Sequence, residues 1–82
     1  AGANLWCAVL SGSNLREADF TGAKLWDADF SNTNLDRAKL LTPDVNEKTS
    51  FASSTLRAAL VSAPVFELCR RQGCDLSEAR VQ

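Results

Sequence analysis

The run Ala3-Asn4-Leu5-Trp6-Cys7, Ala8-Val9-Leu10-Ser11-Gly12, Ser13-Asn14-Leu15-Arg16-Glu17, Ala18-Asp19-Phe20-Thr21-Gly22, Ala23-Lys24-Leu25-Trp26-Asp27, Ala28-Asp29-Phe30-Ser31-Asn32, Thr33-Asn34-Leu35-Asp36-Arg37 decides the fold, because one rule governs each block of five. The third residue of the block is Leu or Phe, and the first is Ala, Ser or Thr. Ala38 and Leu40 continue the rule into an eighth block. A period of five matches neither the 3.6 of a helix nor the 2 of a strand. A large and a small residue that share an interior at this spacing require a chain that turns after every unit.

These pentads resemble those of the pentapeptide-repeat family. The resemblance implies an all-β fold, a right-handed quadrilateral β-helix (a solenoid) with four pentads to a coil, in which the central Leu or Phe and the small residue two before it point inward. It is carried by residues 3–42. Beyond them Val45 still fits, but position 50 is Ser and the next aromatic is Phe51. One extra residue between Val45 and Phe51 restores the frame, and the central series then continues as Phe51, Leu56, Val61, Phe66, Arg71, Leu76 and Val81. The chain reads as a single domain over 1–82, with regular pentads over 1–45, a one-residue insertion within 46–50 and shifted pentads over 51–82.

Stacking twenty residues per coil, or twenty-one across the insertion, gives about four coils and tests that frame. The central columns become Leu5–Leu25–Val45–Phe66, Leu10–Phe30–Phe51–Arg71, Leu15–Leu35–Leu56–Leu76 and Phe20–Leu40–Val61–Val81. The small-residue columns become Ala3–Ala23–Pro43–Pro64, Ala8–Ala28–Thr49–Cys69, Ser13–Thr33–Ser54–Cys74 and Ala18–Ala38–Ala59–Ala79. Only Arg71 is out of place among the central residues, since an unpaired buried guanidinium is costly. A short helix or an irregular coil near 64–72 is the competing local reading, with Pro64 in the first turn and Gly73 just past the end.

Composition narrows the chemistry. With 82 residues the chain is short enough to depend on a regular architecture, a staple or a partner. It has no His, which removes Ser-His-Asp and Cys-His catalysis and His-ligated zinc. It has no Met either, which points to a piece of a longer product. Nine Lys and Arg against ten Asp and Glu give a net charge of −1, without the basic excess that neutralises phosphates, so no nucleic acid is expected as a partner. No apolar run is long enough to span a bilayer, so no membrane is expected either. Gly-rich phosphate loops, Cys-x-x-Cys and Asn-x-Ser/Thr acceptors are absent. Asp19 and Asp29 fall on opposite walls, which rules out their acting as an acid/base pair. No enzyme, catalytic residue, cofactor or metal is expected.

The outward positions offer more. Residues twenty apart stack, so Arg16 lies over Asp36, Glu17 over Arg37 and Asp19 over Lys39, each pair opposite in sign. Trp6 and Trp26 are also twenty apart, which places two exposed indoles on one wall. They form either a protein contact or a cross-rung pair that shields backbone. Cys69 and Cys74 adjoin in the last coil, within reach of a disulfide or as buried free thiols; Cys7, about three coil spacings away, reaches neither.

The expected function is a non-catalytic structural scaffold or protein-interaction module, a rigid rod with an unknown protein partner. Leu5 and Leu10, at the exposed first coil, suggest end-to-end contact in a weak homodimer. Two further roles are implied by the family resemblance: a DNA-mimicking inhibitor of topoisomerases such as gyrase, and a small cyanobacterial or chloroplast-lumen protein of unassigned activity. The first needs a continuous negative surface, which the alternating pairs do not supply. The compartment implied is correspondingly the bacterial cytoplasm or the thylakoid lumen.

Overall fold

The computed structural model describes residues 4–42 and 44–82. Its backbone meets itself every twenty residues through parallel bridges, Asn4 with Lys24, Val9 with Asp29, Asn14 with Asn34 and Asp19 with Lys39. The next circuit is offset by twenty-one, pairing Asp29 with Ser50 and Asn34 with Thr55. The last returns to twenty, pairing Thr55 with Asp75. Each circuit is called a coil below, numbered from 1 at Asn4. Three two-residue strands, β1 (Lys39–Leu40), β2 (Leu60–Val61) and β3 (Arg80–Val81), make a parallel sheet in the order β1-β2-β3 along one side of the stack.

Two local devices turn the chain every five residues. The residue just before the centre is often Asn or Asp, whose side chain accepts the N–H two residues on: Asn4 from Trp6, Asn14 from Arg16, Asp19 from Thr21, Asp29 from Ser31, Asn34 from Asp36 and Asp75 from Ser77. Such Asx turns compete with a continuing strand. The residue two after the centre then takes a left-handed conformation, with φ 61° at Cys7, 65° at Glu17, 58° at Asp27, 61° at Arg37 and 59° at Ala58. Glycine adopts this region without cost, which is why Gly12 (φ 75°) suits the same corner position.

The small inward residues leave room for the large ones. Leu25, Phe30, Leu35, Leu40, Phe51, Leu56 and Val61 are fully buried, together with Ala23, Ala28, Ala38 and Ala59. Phe30 and Phe51 stack at 5.2 Å, and Phe20 meets Phe30 edge-on at 5.6 Å. Buried hydroxyls in the small slots bond to the carbonyls that open the turns, Thr33 to Phe30 at 2.6 Å and Thr49 to Leu25 at 2.6 Å, and the buried Thr42 hydroxyl bonds the Ala23 carbonyl at 2.6 Å. Ser54 bonds Thr33 at 2.9 Å and also the Phe30 carbonyl. No buried side-chain polar atom among the described residues is left unpaired.

The regular turns stop at Ser62, and the helix α1 (Ala63–Arg71) replaces two sides of the stack. This corrects the shifted pentads over that stretch. Phe66 and Arg71 are not rungs of central columns; both lie on the helix, and Arg71 is exposed. The helix buries Val65, Leu68 and Cys69, an i, i+3, i+4 stripe. Pro64 stands in its first turn and Arg70 and Arg71 in its last, where their charge opposes the negative end of the helix dipole. Arg71 therefore keeps its guanidinium in solvent, which removes the cost that a coil would have imposed. The column of Pro43 over Pro64 lies outside the described residues, because Pro43 is not among them.

Gln72 joins the helix to the stack. Its side-chain nitrogen donates to the Thr49 carbonyl at 2.9 Å, and its side-chain oxygen accepts the Phe51 N–H at 2.5 Å. In regular rungs a backbone peptide fills both roles: Asp29 donates to Ala8 and accepts from Leu10. The Gln72 amide therefore stands in for a peptide unit that the helix cannot present.

Candidate functional site

Trp6 and Trp26 each follow a central Leu and sit in a turn, so their indoles point away from the core. The turns are stacked, with the Cys7 N–H donating to the Trp26 carbonyl at 3.0 Å. The rings are not an aromatic pair; among the described residues such pairs are confined to Phe20, Phe30 and Phe51. Trp6 is 63% exposed and Trp26 36%. Lys24 places Nζ 5.8 Å over the Trp26 ring, a cation–π contact.

Between and below the indoles runs a groove of about 650 Å3, lined by Trp6, Trp26, Asp27, Asn46, Glu47 and Lys48. Its floor is the segment that carries the extra residue. Asn46 organises that segment: its side-chain oxygen accepts the N–H groups of Asp27 (3.1 Å), Lys48 (3.2 Å) and Thr49 (3.0 Å), while its side-chain nitrogen donates to the Asp27 carboxylate at 2.6 Å. The gathered segment lines the groove together with the two indoles. The sequence identified Trp6 and Trp26 but missed Asp27, Asn46, Glu47 and Lys48. The available signal was that Asp27 stands one coil above the insertion.

Elsewhere, Leu5 and Leu10 are half-buried against the core at coil 1. Cys7, Cys69 and Cys74 are free thiols, Cys7 exposed and Cys69 buried. Cys69 and Cys74 adjoin, the Cys74 N–H donating to the Cys69 carbonyl at 3.1 Å and the Cys74 thiol to the Phe51 carbonyl at 2.8 Å. Hydrogen bonding to Cys74, with burial added, pushes the Cys69 thiol far above its ordinary value, so it stays protonated.

The expected ion pairs are corrected by one coil. Asp36 does not close on Arg16; it takes Arg57 instead, with guanidinium contacts of 2.9 and 3.2 Å and the Arg57 N–H at 3.0 Å. Neither Glu17 with Arg37 nor Asp19 with Lys39 closes to an ion pair among the described residues, although Asp19 and Lys39 are bridge partners. The Asp19 carboxyl is held below the usual carboxylate range chiefly by the Thr21 hydroxyl and N–H, with the Lys39 charge a smaller cause. No group of three or more potential metal ligands occurs among the described residues, and none of their helices is long and apolar enough to cross a membrane.

No curated protein and no solved structure matches the chain. The family described as pentapeptide repeats matches in eight copies, over residues 1–25 and 13–41, which together make half of the sequence. The five-residue turns, the buried Leu and Phe columns and this match lead to one conclusion: the chain belongs to the pentapeptide-repeat family.

Proposed function

We propose that the chain is a non-catalytic interaction module, a right-handed quadrilateral β-helical rod whose Trp6–Trp26 corner docks a protein partner. The observation that carries this reading is the exposure of two indoles across a groove floored by the insertion. Large aromatic side chains in solvent lose contact area that they regain at an interface, and Trp is enriched among the residues that dominate binding. The repeat supplies rigidity, so little conformational entropy is lost on docking. Alternating charge on the walls weighs against mimicry of DNA, which needs a continuous negative field.

The test compares the parent with a Trp6→Ala/Trp26→Ala variant as baits in extract of the source cell, followed by titration calorimetry with the purified captured protein. The reading requires a partner that binds the parent directly and loses at least tenfold in affinity to the variant, at least 1.4 kcal/mol. Equal binding by both baits refutes the assignment of the corner. In a supercoiling assay with purified gyrase, no inhibition is expected at low micromolar protein.

A further inference from the structure

The corner diagonally across the stack from the indoles carries a second recess of about 650 Å3, lined by Arg37, Ala58, Leu60, Glu78 and Arg80. Two columns make it. In one, the turn residues Arg37, Ala58 and Glu78 succeed one another, with φ 61°, 59° and 61°. In the other, Lys39 pairs with Leu60 and Leu60 with Arg80. Coil 3 therefore contributes only Ala58 and Leu60 where the neighbouring coils present charged side chains. The gap is a notch with an apolar floor and guanidinium groups above and below.

We propose that this notch binds carboxylate side chains of an acidic segment of a protein partner. The only ion pairs among the described residues are Asp36–Arg57 and Glu67–Arg70, which leaves Arg37, Lys39 and Arg80 with no carboxylate within 4.0 Å. In the lining itself two guanidinium groups, Arg37 and Arg80, stand against one carboxylate, Glu78. Arg37 and Arg80 belong to coils two spacings apart, about 10 Å, a span that one carboxylate between two guanidinium groups fills. The planar fork of Arg matches a carboxylate in a way that an ammonium does not. The Leu60 and Ala58 floor accepts the methylene stem of a Glu side chain. The site is separate from the indole groove and does not depend on it.

The experiment is fluorescence anisotropy of a labelled hexaglutamate peptide at low ionic strength, where surface charge is least screened. Ala58→Glu is the decisive variant. It fills the notch with a carboxylate at a turn position where Glu17 and Glu78 already stand at φ 65° and 61°, so the backbone tolerates it. The expected result is saturable binding, weakened at least tenfold by Ala58→Glu and by Arg37→Gln/Arg80→Gln. Lys24→Gln, the same kind of charge loss at the opposite corner, should leave affinity within twofold, as should Trp6→Ala. Thermal melts check that the variants fold; if Ala58→Glu does not, the double Gln variant decides. The proposal is overturned if the peptide does not bind, if Lys24→Gln weakens binding as much as the double variant, or if inorganic phosphate displaces the peptide at equal concentration, which makes the recess a small-anion site.

Discussion

Leu35 stands in the middle of a column, with Leu15 on one side and Leu56 on the other, and is fully buried. Truncating it to Ala removes atoms from a place that the neighbouring rungs cannot collapse to fill, because their backbone is pinned by the Leu35 N–H to the Thr55 carbonyl at 2.8 Å and the Leu15 N–H to the Asn34 carbonyl at 2.8 Å. Chemical denaturation of Leu35→Ala should show a loss of about 2 to 5 kcal/mol, against little change for the exposed Lys24→Ala. Equal losses in the two variants refute the inward assignment. Inward positions such as Leu35 were legible in the sequence because a five-residue turn with one buried face leaves a periodic trace. Trp6 and Trp26 were legible for the same reason. The floor of their groove was not: where an extra residue is absorbed depends on which side chain can gather the loosened backbone. That role falls to Asn46, whose side-chain oxygen takes three N–H groups.

Contacts between successive coils carry a pH signature. Burial alone would raise the Asp36 carboxyl, but the guanidinium and N–H of Arg57 outweigh it and hold it below its ordinary value of 3.8. A carboxyl lowered by folding adds stability that is complete above the unfolded value and lost as pH falls through the folded one. Asp19, Asp29 and Asp75, held down first by the hydroxyls of Thr21, Ser31 and Ser77, act in the same sense. Thermal melts from about pH 7 to pH 2 should therefore show a loss of stability below about pH 4, and Asp36→Asn should lower stability at neutral pH while making that loss shallower. An unchanged acid slope in the variant removes Asp36 from the account. The helix shows why part of the architecture escaped the sequence. Coil 4 pairs with coil 3 at an offset of twenty whether a helix or two flat sides lie between them, so Leu76 and Val81 fit their columns either way. The marks that told the two apart were Pro64 and Gly73 at the ends of the stretch and the misplaced Arg71.

The stack as a whole has unlike ends. At coil 4, Val81 is 49% exposed, and α1 with Gln72 closes two sides of the coil 3 edge that faces it. At coil 1, Leu5, Leu10, Leu15 and Phe20 are only half-buried. An edge that leaves apolar side chains half-exposed invites pairing. We expect this chain to form a weak homodimer through coil 1, with Trp6 near the contact and the Cys69–Cys74 end free. Light scattering near the millimolar range should detect it, and Leu10→Lys should abolish it. A strictly monomeric parent, or a dimer that survives the charge, overturns the expectation. The amide of Gln72 has a wider consequence. A single side chain supplies one donor and one acceptor to coil 3 where the wall is interrupted, and coil 4 resumes its pairing with coil 3 at Thr55 and Asp75 with the twenty-residue offset kept. The interval between Val61 and Gln72 is no free cassette: a foreign segment spliced there must bring, besides the same glutamine, apolar side chains in the places of Val65, Leu68 and Cys69, which plug the core.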